Sequence, residues 1–215
     1  MIQKIIFMAF LCLFSILNAS AQIAQGSILL GGYVSFGSSD NNSNIQNNKY
    51  GGLNISIGKA YKENTIYAVN LYYGVNSNDY PINGTIAGTG NSKNSNFSIG
   101  GFIRQYHTLL KDFYFFTDAG GNIPFYNQTT TNTYPSSTDI TTTKQIGIQL
   151  YLTPGISYNL FKKLQLELSL PNFLSASYLH KSFDGQPYSE NSVSFYSGIG
   201  GLASGNLSIG LHLIL

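Results

Sequence analysis

Three charged residues stand in segments whose other side chains are apolar or neutral. Only 9% of the 215 residues are charged, and the sequence contains a single arginine. Arg104, Asp118 and Glu167 fall on the polar faces of their segments. An arginine and two carboxylates removed from water are expected to pair, because an unpaired charge there is costly. Such a cluster could lock a fold, or act as a gate or as a relay for protons or ions.

A set of aromatic residues shares these polar faces. Rings of this bulk are expected to fill a narrow interior, and a stacked aromatic track for sugars is the alternative. The residues are Tyr33, Tyr72, Phe102, Tyr106, Tyr114, Phe116 and Tyr151.

Composition excludes several other kinds of chemistry. The net charge of +2 gives no basic field for nucleic acid. The single cysteine, Cys12, lies in the apolar N-terminal run, so we expect no disulfide and no thiolate zinc site beyond it. No two of the three histidines have metal-ligand spacing, so we expect neither a metal nor a cofactor.

The N-terminus has the layout of a secretory signal peptide. Lys4 provides the positive region, Ile5 to Leu17 is apolar except for Ser15, and Ala19-Ser20-Ala21 is a small-residue cleavage site. We therefore expect residues 1–21 to be removed on export and residues 22–215 to form the mature domain.

The rest of the chain shows the two-residue alternation that is typical of β-strands. Each alternating segment reaches the roughly 9–11 residues that a tilted strand needs to cross a bilayer. The eight predicted strands are Ser27 to Gly37, Tyr50 to Lys59, Thr65 to Asn76, Asn96 to His107, Phe113 to Tyr126, Lys144 to Tyr158, Leu164 to Leu174 and Gly205 to Leu215.

The two faces of these strands differ sharply in polarity. Leu53, Ile55 and Ile57 represent the apolar face, and Asn54 and Ser56 represent the neutral polar one. A soluble sandwich would carry Lys and Glu on its water-facing side, whereas a membrane barrel presents its apolar face to lipid. The pattern therefore favours an all-β transmembrane barrel.

The connections alternate between long and short. The long, polar ones are Ser38 to Lys49, Ser77 to Ser95, Asn127 to Thr143 and Ser175 to about Ser204. Long extracellular loops and short periplasmic turns are the barrel pattern, so we expect an antiparallel up-and-down barrel of eight strands. The stretch Ser192 to Ser204 could extend the last strand beyond the membrane, with a break at Gly198 to Gly201, and ten strands remain an alternative.

With these features the chain resembles the small outer-membrane β-barrels of Gram-negative bacteria, of the OmpX, OmpW and OmpA-barrel type. Its final strand, Asn206 to Leu215, is similar to the terminal assembly signal of such barrels, although it ends in Leu215 where an aromatic residue is usual. The resemblance implies insertion by the outer-membrane assembly machinery and residence among outer-membrane lipid and lipopolysaccharide.

The same resemblance raises an enzymatic alternative. Some barrel enzymes that remove acyl chains from lipid A use a His-x-Ser pair and a glutamate. His180 and Ser182 have that spacing, and Glu190 follows in the same predicted loop. The match is loose, and a solvated loop is the favoured explanation for these residues.

We therefore expect a monomeric, non-enzymatic barrel with a mostly plugged lumen and a structural or surface-interaction role. Its long loops would contact a partner outside the cell. The alternatives are a narrow channel, a transport barrel for small apolar ligands, a lipid A-modifying enzyme and, most distant, a soluble lipocalin-like barrel.

Overall fold

The computed structural model describes residues 23–41, 46–82, 87–198 and 208–215. The predicted signal peptide, residues 1–21, lies outside these ranges. The strands are β1 (Ile28–Asn41), β2 (Gln46–Lys62), β3 (Thr65–Ile82), β4 (Gly88–Leu110), β5 (Phe113–Thr133), β6 (Thr138–Phe161), β7 (Leu164–Ser169), β8 (Leu174–Phe183), β9 (Ser189–Ser197) and β10 (Ser208–Ile214). In the described part of the chain, no helix has the length and apolar character needed to cross a membrane.

The strands form one closed antiparallel ring. Each strand from β1 to β6 pairs with the next along the chain, and β10 lies between β7 and β1. The closing β1–β10 ladder begins with Leu29 opposite Ile214. Eight strand positions therefore surround the lumen, which confirms the predicted up-and-down barrel.

Ten strands occupy eight positions because the last two positions are each divided. β7 pairs with the half of β6 that is nearest the short β6–β7 turn, from Gly155 to Phe161. β8 pairs with the other half of β6, from Leu152 to Thr143. The break between β7 and β8 contains Pro171, which has no backbone N–H, and Asn172, whose φ is 53°. The predicted continuous strand Leu164 to Leu174 is therefore interrupted before Leu174.

β9 pairs with β8, and β10 pairs with β7, so these two strands divide the eighth position. β9 covers Ser189–Ser197, the first part of the stretch predicted to extend the last strand. The rest of that stretch, including most of the predicted break, lies outside the described residues.

The strands extend well into regions predicted to be loops. β4, β5 and β6 contain 23, 21 and 24 residues, and β5 pairs with β6 as far as Thr133 opposite Thr138. Threonine favours strands because its branched side chain suits a pleated surface. These outer segments escaped prediction because they are polar on both faces and so show no apolar alternation.

A belt of exposed apolar side chains surrounds the barrel. On β3, Val69 and Leu71 are exposed, whereas Ala68 and Asn70, which alternate with them, face the lumen and are buried. Outside the lumen, the charged side chains that the structure describes lie at the edges of this belt or beyond it, towards either end of the barrel. The belt includes Ile28, Leu30, Val34, Leu53, Ile55, Ile57, Tyr67, Val69, Leu71, Tyr73, Phe97, Ile99, Ile103, Ile123, Ile146, Ile148, Leu150, Leu166, Leu168, Ile209, Leu211 and Leu213.

The short-turn end of the lumen is packed with apolar groups. Leu29, Ile66 and Phe116 have no exposed surface there. Ile23 is also buried, and its N–H donates to Asn64 Oδ1 over 2.9 Å, while Asn64 N–H donates back to its carbonyl oxygen over 3.0 Å. The chain before β1 therefore folds against the β2–β3 turn and helps to close this end.

Candidate functional site

Arg104 lies at the centre of the lumen and binds the carboxylate directly across the β4–β5 ladder. Arg104 and Asp118 are register partners in that ladder. The guanidinium donates from Nε to Asp118 Oδ1 over 2.6 Å and from Nη2 to Oδ2 over 2.7 Å. This two-point contact occupies both carboxylate oxygens and fixes the plane of the guanidinium.

Glu167 on β7 provides the second carboxylate. Arg104 Nη1 donates to Glu167 Oε1 over 2.5 Å, and Glu167 Oε2 lies 3.1 Å from His212 Nδ1. His212 Nε2 lies 3.3 Å from Ser56 Oγ. The structure thus brings together the three charged residues predicted from sequence and adds His212, which the sequence analysis did not assign to the cluster.

The cluster is removed from solvent and is internally paired. Arg104 and Glu167 are each 4% exposed, and every oxygen of the two carboxylates has a cationic or histidine neighbour. The Arg104 guanidinium carbon also lies 4.1 Å from the Phe116 ring centroid, a cation–π geometry. These contacts join β4, β5, β7 and β10 across the lumen.

Aromatic and amide groups fill the lumen between the cluster and the short turns. The Tyr106 ring centroid lies 5.9 Å from that of Tyr114, with the rings edge to face, and 6.0 Å from that of Phe116. Asn159 Nδ2 donates to the Tyr114 hydroxyl over 3.2 Å, and Gln165 Nε2 donates to Asn159 Oδ1 over 2.9 Å. We call Tyr106, Tyr114 and Phe116 the aromatic plug.

The lumen on the other side of the cluster contains a cavity of about 530 Å³. Tyr33, Tyr72, Phe102 and Tyr151, the other four aromatic residues predicted to face inward, line this cavity. The predicted aromatic set is thus divided, with three rings packed as a plug and four around the cavity.

The lining of the cavity is mainly neutral and polar. Carboxamides from Asn54, Asn70, Asn96, Asn122 and Gln149 contribute to its wall, and the charged cluster forms its floor. Asn54 and Asn70 are only 6% and 8% exposed.

The structure does not bring the candidate lipid A-modifying residues together. His180 Nδ1 lies 2.9 Å from Asn191 Oδ1, and the Ser182 hydroxyl donates to the Lys144 carbonyl oxygen over 3.4 Å. Glu190 pairs with Lys181, whose side chain points to the opposite face of β8 from those of His180 and Ser182. The geometry therefore provides no arrangement for nucleophilic catalysis by these residues.

A metal centre also lacks a structural basis in the described ranges. No group of three or more His, Cys, Asp or Glu side chains there is arranged to hold a metal ion. His212 is engaged by Ser56 and Glu167, and His107 faces outward against Phe115.

No protein-family model matches the chain, and neither does any curated protein. The chain is similar to the solved N-terminal β-barrel domain of Pseudomonas aeruginosa OprF, with 15% identity, a TM-score of 0.34, and coverage of 89% of this chain and 98% of that one. It is also similar to Neisserial surface protein A, with 13% identity, a TM-score of 0.37, and coverage of 88% and 96%. For Ail, the attachment invasion locus protein of Yersinia pestis, identity is 8%, the TM-score is 0.34, and coverage is 88% and 95%.

Topology and surface chemistry define the type of barrel. The ladders of β1 to β7 and β10 close on themselves, so backbone groups in this ring find partners, whereas β9 pairs with β8 alone among the described strands. The outer face is apolar and the inner face is polar, the reverse of a water-soluble protein. The chain is an antiparallel up-and-down β-barrel of eight strand positions, with the apolar outer face of an outer-membrane barrel.

Proposed function

We propose that this protein is an outer-membrane barrel with a closed lumen, exported by means of residues 1–21, whose role is structural or surface-interacting. The observation that carries the proposal is the blocked lumen. The paired cluster of Arg104, Asp118 and Glu167 crosses it, and the aromatic plug fills the space beneath. A continuous water path for bulk solutes has no room in such a packed section.

The outward extension of the strands supports a role at the cell surface. Roughly 9–11 residues cross a bilayer, whereas β4, β5 and β6 are about twice that length. Cross-strand contacts order the extension, since the Tyr80 hydroxyl donates to Asn132 Oδ1 over 3.1 Å and Gln128 Nε2 donates to Ser92 Oγ over 2.9 Å. The protein would therefore present a structured polar sheet to an extracellular partner.

The blocked lumen predicts that the wild-type barrel does not conduct. The mature chain would be refolded in detergent, verified as a closed barrel by different gel migration with and without boiling, and added to planar bilayers. We expect no discrete current steps, with an open-lumen porin as the positive control. Reproducible steps from the verified barrel would overturn the closed-lumen proposal and favour the narrow-channel alternative.

The outward apolar belt predicts a strong effect of a charge placed at its centre. Leu71 lies midway along the exposed apolar run of β3 and is 48% exposed. We expect Leu71→Arg to lower the free energy of unfolding in lipid vesicles by about 2–4 kcal/mol, because lipid solvates an arginine poorly. The measurement is urea unfolding followed by circular dichroism.

Thr138→Arg is the matched control, because Thr138 is an exposed residue at the outer end of β6, beyond the belt. A change within about 0.5 kcal/mol is expected there. Equal, small effects of both arginines would contradict the membrane location and favour a soluble barrel.

A further inference from the structure

We propose that the lumen cavity is a binding site for a small uncharged polyhydroxylated molecule of mono- or disaccharide size. The site lies on the long-strand side of the paired cluster and has a volume of about 530 Å³. That volume is within the roughly 300–1,000 Å³ of small-molecule sites. The inference goes beyond the proposed function, which assigns no ligand.

The floor of the cavity argues for a neutral ligand. Asp118 places both carboxylate oxygens on Arg104, and Glu167 places one on Arg104 and the other near His212. A charged ligand would have to compete with these buried pairs, whose disruption is expensive. An uncharged ligand can lie against the floor without disturbing them.

The wall carries amide groups that the described protein does not satisfy. Asn70, Asn96 and Asn122 come from the adjacent strands β3, β4 and β5, and the Oδ1 atom of each lacks a hydrogen-bond partner within the described residues. An unsatisfied buried acceptor destabilises a fold, so such groups call for an explanation. Because no hydrogen bond within the described residues holds these Oδ1 atoms to the wall, the carboxamides are available to turn and pair with ligand hydroxyls.

Tyrosines complete the chemistry of the site. Tyr33, Tyr72, Tyr126 and Tyr151 line the same space, and each provides an apolar ring and a hydroxyl. A sugar presents the complementary pair, C–H faces and hydroxyl groups. A purely apolar ligand would leave the amides unpaired, which disfavours the apolar-transport alternative for this cavity.

The position of the plug makes this a site for retention, not for passage. Tyr106, Tyr114 and Phe116 are buried on the short-turn side of the cluster. Within the described barrel, a ligand therefore reaches the cavity from the long-strand end and does not continue through it.

The test is titration of the refolded full-length mature barrel with glucose, maltose, glucosamine and gluconate, followed by NMR signals of the tyrosine rings. We expect saturable shifts with glucose or maltose, and binding at least about tenfold weaker for the two charged probes. An absence of saturable shifts with every probe would show a cavity that holds only water and would overturn the proposal. Preferential binding of glucosamine or gluconate would overturn it as well.

Substitutions at two lining residues on different strands test whether the wall of the cavity binds the sugar. Asn70→Leu and Asn122→Leu are each expected to weaken sugar binding about tenfold or more. Both should also raise the urea midpoint of unfolding, because each removes an unsatisfied buried amide. Asn191→Leu, at an exposed position of β9, should leave sugar binding unchanged. Equal binding by the wild type and both lumen variants would refute the site.

Discussion

Arg104→Ala is expected to lower the free energy of unfolding by about 3–5 kcal/mol. The substitution removes both hydrogen-bond donors to the Asp118 carboxylate, which are Nε and Nη2 of Arg104. It leaves Glu167 with only His212 and the Tyr106 hydroxyl as neighbours. Both carboxylates would remain almost entirely inaccessible to solvent, so the loss is that of uncompensated buried charge. Urea unfolding of the refolded barrel, followed by circular dichroism and by heat-dependent gel migration, measures the effect.

Lys93→Ala provides the matched control for Arg104→Ala. Lys93 is a cation on the same strand, but it is exposed near the outer end of β4. Its removal should change stability by no more than about 0.5 kcal/mol. An Arg104→Ala barrel as stable as the control would show that the ion pairs do not hold the barrel together.

A neutral form of the cluster separates the cost of unpaired charge from the cost of lost contacts. The variant Arg104→Met with Asp118→Asn and Glu167→Gln removes all three charges and keeps comparable volumes. We expect it to recover much of the stability lost in Arg104→Ala, because replacing a whole buried ion-pair network is often close to neutral.

The same variants distinguish a structural cluster from a gate. If the cluster alone blocked the lumen, Arg104→Ala would conduct in planar bilayers. The aromatic plug lies directly beneath Arg104, with Phe116 and Tyr106 both buried. We therefore expect Arg104→Ala to be unstable but still silent, and current steps would assign a gating role to the cluster.

The inward and outward faces of the barrel could be predicted from sequence because strand geometry alone determines them. Leu71 and Asn70 are neighbours in the chain, and the two-residue period of a strand puts one on lipid and the other in the lumen. The Arg104–Asp118 pairing could also be predicted from the sequence. A short β4–β5 turn places residues at equal distances from Lys111 opposite each other.

The remaining contacts of the cluster depend on long connections that a sequence does not specify. His212 alternates in step with Gly210 and Ser208, so the sequence predicts that its side chain faces the lumen. The sequence does not predict which residue it contacts there. Its contact with Glu167 requires the β7–β10 register, and β8 and β9 intervene along the chain. The outer halves of β4 to β6 escaped prediction for a different reason, because mainly polar residues line both of their faces.

The packing of the aromatic plug leads to the second prediction with a large expected effect on stability. Phe116 has no exposed surface and packs against both the Arg104 guanidinium and the ring of Tyr106. Its fit depends on Gly155, where an added Cβ would lie only 2.7 Å from Phe116 Cε1. The close approach of β6 to this ring shows that the plug is packed without spare volume.

Phe116→Ala is therefore expected to lower the free energy of unfolding by about 3–5 kcal/mol, since it removes a large buried ring and leaves a cavity. Ile140→Ala is the control, because Ile140 lies near the outer end of β6, beyond the belt, is 67% exposed, and its loss should cost no more than about 0.5 kcal/mol. Urea titrations of both variants and the wild type in the same detergent make the comparison. Coincident midpoints for Phe116→Ala and the wild type would mean that the ring does not support the barrel, and the plug would then have to be explained by the closure of the lumen alone.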